Sequence, residues 1–265
     1  MLSQSRIWYK VAILNFVLAT LAGALLRFAF VKEITWLDYK NVLHAHSHVA
    51  MLGWIFPVLV GLLVDEWIQP DAALRRTFTQ LLYANQVAVL GMYLTFPVQG
   101  YAAGSIFFSS LQVVVSYVIV YQIIKAARSM ESTWSGRWIK TGLVFLLVSS
   151  LGLWAIGPIT AGGMRASIWF YLAVQFYLHF QFNGWFIFTV VGLLLRAVEV
   201  KGIKIRDIQQ RSFFIPAAFL PTYLCAGRSL VAHGVGGVDR QWGRGVASVR
   251  SFASPMEYDK KIQLR

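Results

Sequence analysis

The sequence predicts an all-α polytopic transmembrane helix bundle of six to seven spans, and three observations carry that prediction. Of the 265 residues, 57% are hydrophobic and only 13% are charged, where an ordinary soluble domain has about 25% charged residues. Six apolar runs approach or exceed the roughly 20 residues that a helix needs to cross the hydrocarbon core of a bilayer. The loops between them are short, which favours sequential antiparallel packing of neighbouring helices.

The six runs lie at 11–30, 43–64, 81–98, 106–124, 141–159 and 166–195. The first follows Arg6 and Lys10 as a signal peptide would, but it is too long and no Ala-x-Ala site follows, so it reads as a retained helix. Small residues at Ala19, Ala22, Gly23 and Ala24 in the first run, and at Gly142, Ser149, Ser150 and Gly152 in the fifth, allow close backbone approach. Residues 1–211 thus form the membrane domain. Residues 212–225 are apolar but carry Pro216 and Pro221, and amount to a partial seventh span. The basic tail to Arg265 is rich in Gly, Ser and Arg and has no periodicity. Two readings stay open for residues 212–265: a flexible cytoplasmic tail, or a seventh helix from Phe213 whose reading frame is lost soon afterwards, leaving a non-native end. The second is favoured, because the tail lacks the span-and-loop rhythm before it.

A formal charge of +13 could suggest nucleic acid, but the basic residues are spread among loops and do not line one helix face. Topology explains them better. With the N-terminus cytoplasmic, that face receives Arg6, Lys10, Arg75, Arg76, Lys125, Arg128, Arg137, Lys140, Arg196, Lys201, Lys204, Arg206 and Arg211. The other keeps Arg27, Lys32, Lys40 and Arg165. The expected environment is therefore lipid, with no nucleic-acid partner. The one cysteine, Cys225, excludes an intramolecular disulfide, covalent heme attachment and a thiolate metal cluster.

The functional clue is Leu43-His44-Ala-His46-Ser-His48-Val-Ala-Met-Leu-Gly53-Trp54. Three histidines entering a lipid-facing helix are costly to bury, and so imply a metal, a heme or a proton pathway. At about 100° per residue, His44 and His48 share a face and His46 points the other way. His44 and His48 could chelate one metal ion, or His46 and His48 could each serve a different ligand on opposite sides. The sixth run adds His179, Gln181 and Asn183, of which Asn183 shares the His179 face and Gln181 does not. Leu178-His179 with Gly184-Trp185 loosely echoes Leu43-His44 with Gly53-Trp54, at a different gap. Counted from the ends of these runs, His48 lies roughly 8 Å deep and His179 closer to 20 Å, so a shared axial pair needs an offset between the helices.

These residues resemble a known family. His46-Ser-His48-Val-Ala-Met-Leu-Gly-Trp54, with Ile34-Thr-Trp-Leu-Asp-Tyr39 before it, is similar to the His-x-His-x-x-x-Leu-Gly-Trp stretch of heme-copper oxidase subunit I, especially the bacterial cbb type. The resemblance covers about twenty residues. It implies non-covalent heme b, with His46 toward one heme and His48 toward another, and a place in electron transfer or in heme and gas sensing in a respiratory membrane. That membrane would be the bacterial inner membrane, with other respiratory-chain subunits as partners. His179 is the candidate partner ligand, Asn183 its hydrogen-bonding support, His44 a supporting or propionate contact, and Lys40 a propionate counter-charge. The family's subunit I has about twelve spans and a copper site that uses a His-His pair. This chain has neither, so it resembles the small oxidase-subunit-I-like proteins, and oxygen reduction by it alone is not expected. The alternatives are a transition-metal-handling transporter using His44 and His48, and a structural membrane subunit.

Overall fold

The computed structural model describes residues 3–202, apart from 131, 165 and 166, with side chains from Ile7 onward. The side chain of Arg6, the residues Arg165, Lys204, Arg206, Arg211 and Cys225, the seventh span and the basic tail all lie outside the described residues. Within them, six helices are long and apolar enough to cross a membrane. They are α1 (Ser3–Phe28), α2 (Tyr39–Ile68), α3 (Ala72–Gln99), α4 (Ala103–Ala126), α5 (Trp134–Ala161) and α6 (Ile168–Val200). The chain is a multi-pass, all-α membrane protein.

Each helix runs past the apolar stretch that betrays it, because backbone hydrogen bonding continues through polar residues until a cap or turn stops it. Asp38 starts α2 by accepting from Asn41 N–H at 3.0 Å, Asp71 starts α3 by accepting from Leu74 N–H at 2.8 Å, and Thr133 accepts from Gly136 N–H at the start of α5. Gln69, at φ 47°, closes α2 in the left-handed conformation. Only three residues then separate α2 from α3, so the stretch between the second and third apolar runs is mostly helix.

Consecutive helices pack as hairpins: α1 on α2, α3 on α4 and α5 on α6. The α2 helix also packs on α3, and its final turns meet α6. Of its most apolar stretch 61% is buried, against 44% or less for the other spans, which makes α2 the central helix. Large side chains exposed on α1, α5 and α6, such as Leu21, Leu151 and Leu194, are what a lipid-facing surface requires.

At the end of the bundle that holds the N-terminus, Asp65 accepts from Tyr9 Oη at 3.1 Å and from Arg75 at 2.7 Å, joining α1, α2 and α3. Ser135 of α5 donates through both its backbone N–H and its hydroxyl to Glu199 of α6. Among the described residues, acidic side chains occur within the helices only in their last turns.

Candidate functional site

The three histidines sit in the first three turns of α2, at the end opposite the N-terminus, and their faces follow the helical arithmetic. His46 points at α1, where its Nδ1–H donates to the Ala19 carbonyl at 2.8 Å. The ring fits because residue 23 is glycine; a Cβ there would stand 3.0 Å from His46 Cε1. His48 points to the α3 side. Its Nδ1–H donates to the His44 carbonyl at 2.8 Å, and its ring packs 4.7 Å from that of Phe96. His44 lies beside the same Phe96 and 4.8 Å from Tyr101, with its ring centre 6.5 Å from that of His48.

A carbonyl can only accept, so His46 and His48 both carry their proton on Nδ1 and leave Nε2 with a free lone pair. A backbone partner on one nitrogen fixes the ring and makes the other nitrogen the ligand. His46 and His48 thus have the donor chemistry that would hold a heme iron. Among the described residues, no group of three or more His, Cys, Asp or Glu could hold a metal ion. Lys40 is exposed at the start of α2.

Directly after His48 the backbone widens into a seven-residue π-helical segment, Val49–Ile55. The Phe56 N–H reaches back to Met51 O and so no longer serves the Leu52 carbonyl, and Pro57, which would be that carbonyl's donor in the π pattern, has no N–H to offer. Gly53 O loses its α-helical donor for the same reason. In hydrocarbon such groups need partners. Asn85 of α3 donates to Leu52 O at 3.1 Å, and Asn15 of α1 donates to Gly53 O at 2.7 Å. Asn15 and Gln86 exchange two further bonds, and Gln112 of α4 donates to Asn85 at 3.4 Å. Asn15, Asn85 and Gln112 are buried. Sequence reasoning missed this amide cluster. The signal was present, as amides inside apolar runs together with a proline in the middle of a span.

The α6 helix repeats the device. A second seven-residue π-helical segment, Phe180–Phe186, begins directly after His179. In register, His48-(four residues)-Gly53-Trp54 matches His179-(four residues)-Gly184-Trp185, and after six more residues Gly61-Leu-Leu matches Gly192-Leu-Leu. The echo expected from His44 thus belongs to His48, where the gaps are equal. Packing follows the same register. Gly53 and Gly61 lie against Asn15 and Tyr9 of α1, while Gly184 and Gly192 lie against Phe145 and Ile139 of α5. The α2 and α6 helices thus share one register of histidine, widened turn and packing glycines.

The depths agree as well. Measured from Tyr39 and Ile168, where the helices start, His48 lies about 14 Å and His179 about 17 Å along its axis, so the mismatch expected from the shorter runs disappears. The polar set on α6 divides as its spacing suggested. Gln181 is buried and accepts from Ser149 at 3.0 Å, while Asn183 is exposed and its amide nitrogen lies 3.3 Å from His179 Nδ1. That amide donates, so the His179 ring carries its proton on Nε2, the reverse of His46 and His48. Two further groups on α6, Trp185 Nε1 and Thr189 Oγ1, are buried without a hydrogen-bond partner.

No family model, curated protein or solved structure matches this chain.

Proposed function

We propose that the chain is a heme-binding membrane protein similar to oxidase subunit I, serving electron transfer or heme and gas sensing in the bacterial inner membrane, with its N-terminus cytoplasmic. The observation that carries this reading is the matched setting of His46 and His48: opposite faces of one helix, each with Nδ1–H on a backbone carbonyl and Nε2 left as the ligand atom. Heme b, when bound, supplies a one-electron iron couple and a position for a diatomic gas.

The residues do the rest. His46 and His48 hold their rings by backbone bonds, so ligation costs little reorientation. Phe96 and the apolar lining around His48 keep the site of low polarity, which tunes a bound iron's potential. Lys40, exposed at the start of α2, is the proposed counter-charge for a propionate, and His44 stands one turn from His48. For His179 to serve as the partner ligand, the Asn183 amide has to turn so that its oxygen accepts from Nδ1–H. Other respiratory-chain subunits are the proposed partners, and oxygen reduction is not assigned.

The test is a reduced-minus-oxidised spectrum of the purified chain beside its His46→Ala and His48→Ala variants. A b-type Soret and α band that weakens in the variants is expected. A flat spectrum from protein produced with ample heme would overturn the reading. The closeness of His44 and His48 favours a second reading, a transition-metal-handling protein. That reading expects stoichiometric zinc or copper, lost on substituting those two residues, and no heme spectrum.

A further inference from the structure

We infer that Asn15 and Asn85 are positioning residues for His46 and His48, acting through the carbonyls of Leu52 and Gly53 at the point where α2 passes from the π to the α pattern ahead of Pro57. The inference rests on the reading of those histidines as ligand-binding groups. Leu52 and Gly53 lie four and five residues beyond His48, about one helical turn along α2. At that turn α2 is held from two sides, by Asn15 on Gly53 O and by Asn85 on Leu52 O. Both asparagines are themselves held. Gln86 bonds Asn15 in both directions, tying α1 to α3, and Gln112 ties Asn85 to α4.

The consequence is rotational. A helix in a bundle of apolar side chains has little to fix its angle about its own axis. Here two amide-to-carbonyl bonds fix that angle on one turn, and the next turns carry the histidines. With the angle fixed, His46 Nδ1 meets Ala19 O in α1 and His48 meets Phe96 in α3. Gly53 is part of the grip, because a Cβ there would lie 3.1 Å from the Asn15 amide and 2.8 Å from Val89.

Interhelical amides that only hold a bundle together would show no dependence on Pro57. The experiment therefore uses the full chain in lipid nanodiscs and four variants: Asn15→Leu, Asn85→Leu, Pro57→Ala and the pair Pro57→Ala with Asn85→Leu. Nitrogen NMR of labelled histidine reads the ring tautomers without any need for heme. The wild type is expected to show Nδ1–H at His46 and His48, and both asparagine variants to lose that single tautomer at His46, whose acceptor lies on α1, while His48, bonded to His44 of its own helix, serves as the internal reference. The Pro57→Ala substitution restores an N–H, so the paired variant should recover it. Asn85→Leu should shift the unfolding equilibrium about tenfold in the presence of Pro57 and about twofold or less on the Pro57→Ala background.

Unchanged His46 signals in a destabilised Asn85→Leu protein would overturn the inference, as would a paired variant that recovers nothing. Where Asn85→Leu alone does not fold, folding of the pair is the expected rescue, and failure of both overturns the inference. A protein without b-type absorption whose His46 signals still follow Asn85 removes the heme reading and supports the positioning role. A heme-bearing protein whose ligand spectrum and His46 tautomer ignore Asn15 and Asn85 does the reverse.

Discussion

Gly152 is the point where α5 and α6 approach backbone to backbone, and its replacement by alanine gives a stability change that can be worked from the structure. A Cβ at Gly152 would stand 2.5 Å from the Ala173 carbonyl oxygen, 3.0 Å from Tyr177 N and 3.1 Å from Tyr177 Cβ. None of these is the far end of a flexible side chain, so relief requires the two helices to part by roughly an ångström, which thins contacts along the hairpin. Overpacking of this kind costs about 1–3 kcal/mol, and a backbone obstacle places it near 3. Alanine recovers about 1 kcal/mol of helix propensity. The net loss is about 2 kcal/mol, close to a thirtyfold shift in the unfolding equilibrium. Titration with SDS in mixed micelles, followed by tryptophan fluorescence, reads it directly. The neighbouring Leu151→Ala is the control, since Leu151 is 61% exposed on the lipid side, and it should move the midpoint little. A Gly152→Ala protein as stable as the wild type, or more so, would refute the close crossing of α5 and α6.

Three other outcomes are expected. Ser149→Ala or Gln181→Leu alone leaves a buried partner unsatisfied and should cost about 1–2 kcal/mol, while the two together cost less than their sum; a double-mutant cycle in the same titration checks this. Thr189→Val removes a buried hydroxyl that has no partner and should stabilise the protein by about 1 kcal/mol, seen as a higher thermal midpoint. With His179 as the proposed partner ligand of the iron that His48 holds, the His48→Ala and His179→Ala double variant should bind no less heme than the worse single. Losses that add, by quantitative heme assay, would show that the two histidines serve separate irons.

The spans were legible because hydropathy is local: an apolar run of sufficient length has one stable form in lipid. The division of the histidines was legible for the same reason, since His44, His46 and His48 need only the helical angle to be placed. What escaped is what depends on distant partners. The π-helical segment after His48 is supported by Asn15 and Asn85, which belong to other helices, and the lone clue inside α2 was Pro57. Depth failed because hydropathy begins at Leu43 while the helix begins at Tyr39, under the cap of Asp38. The repeat was half seen, as an echo counted from His44 when the equal spacing starts at His48. The proposal of a heme role for these histidines rests on a resemblance alone at the level of sequence, since ligation depends on a group that the sequence does not contain.

The two hairpins share a backbone path but not its enforcement. From His179 to Gly192 every residue of α6 keeps its amide N–H, with Phe188 standing where α2 has Pro57. The widened turn in α6 can therefore pass back to an ordinary α-helix by moving each hydrogen bond one residue along, a rearrangement that leaves no carbonyl stranded. The turn in α2 has no such exit, because the missing amide at Pro57 leaves a carbonyl stranded in the α register as well. The α2 turn is thus tied to amides on other helices in a way that the α6 turn, with Phe188 in the place of Pro57, is not.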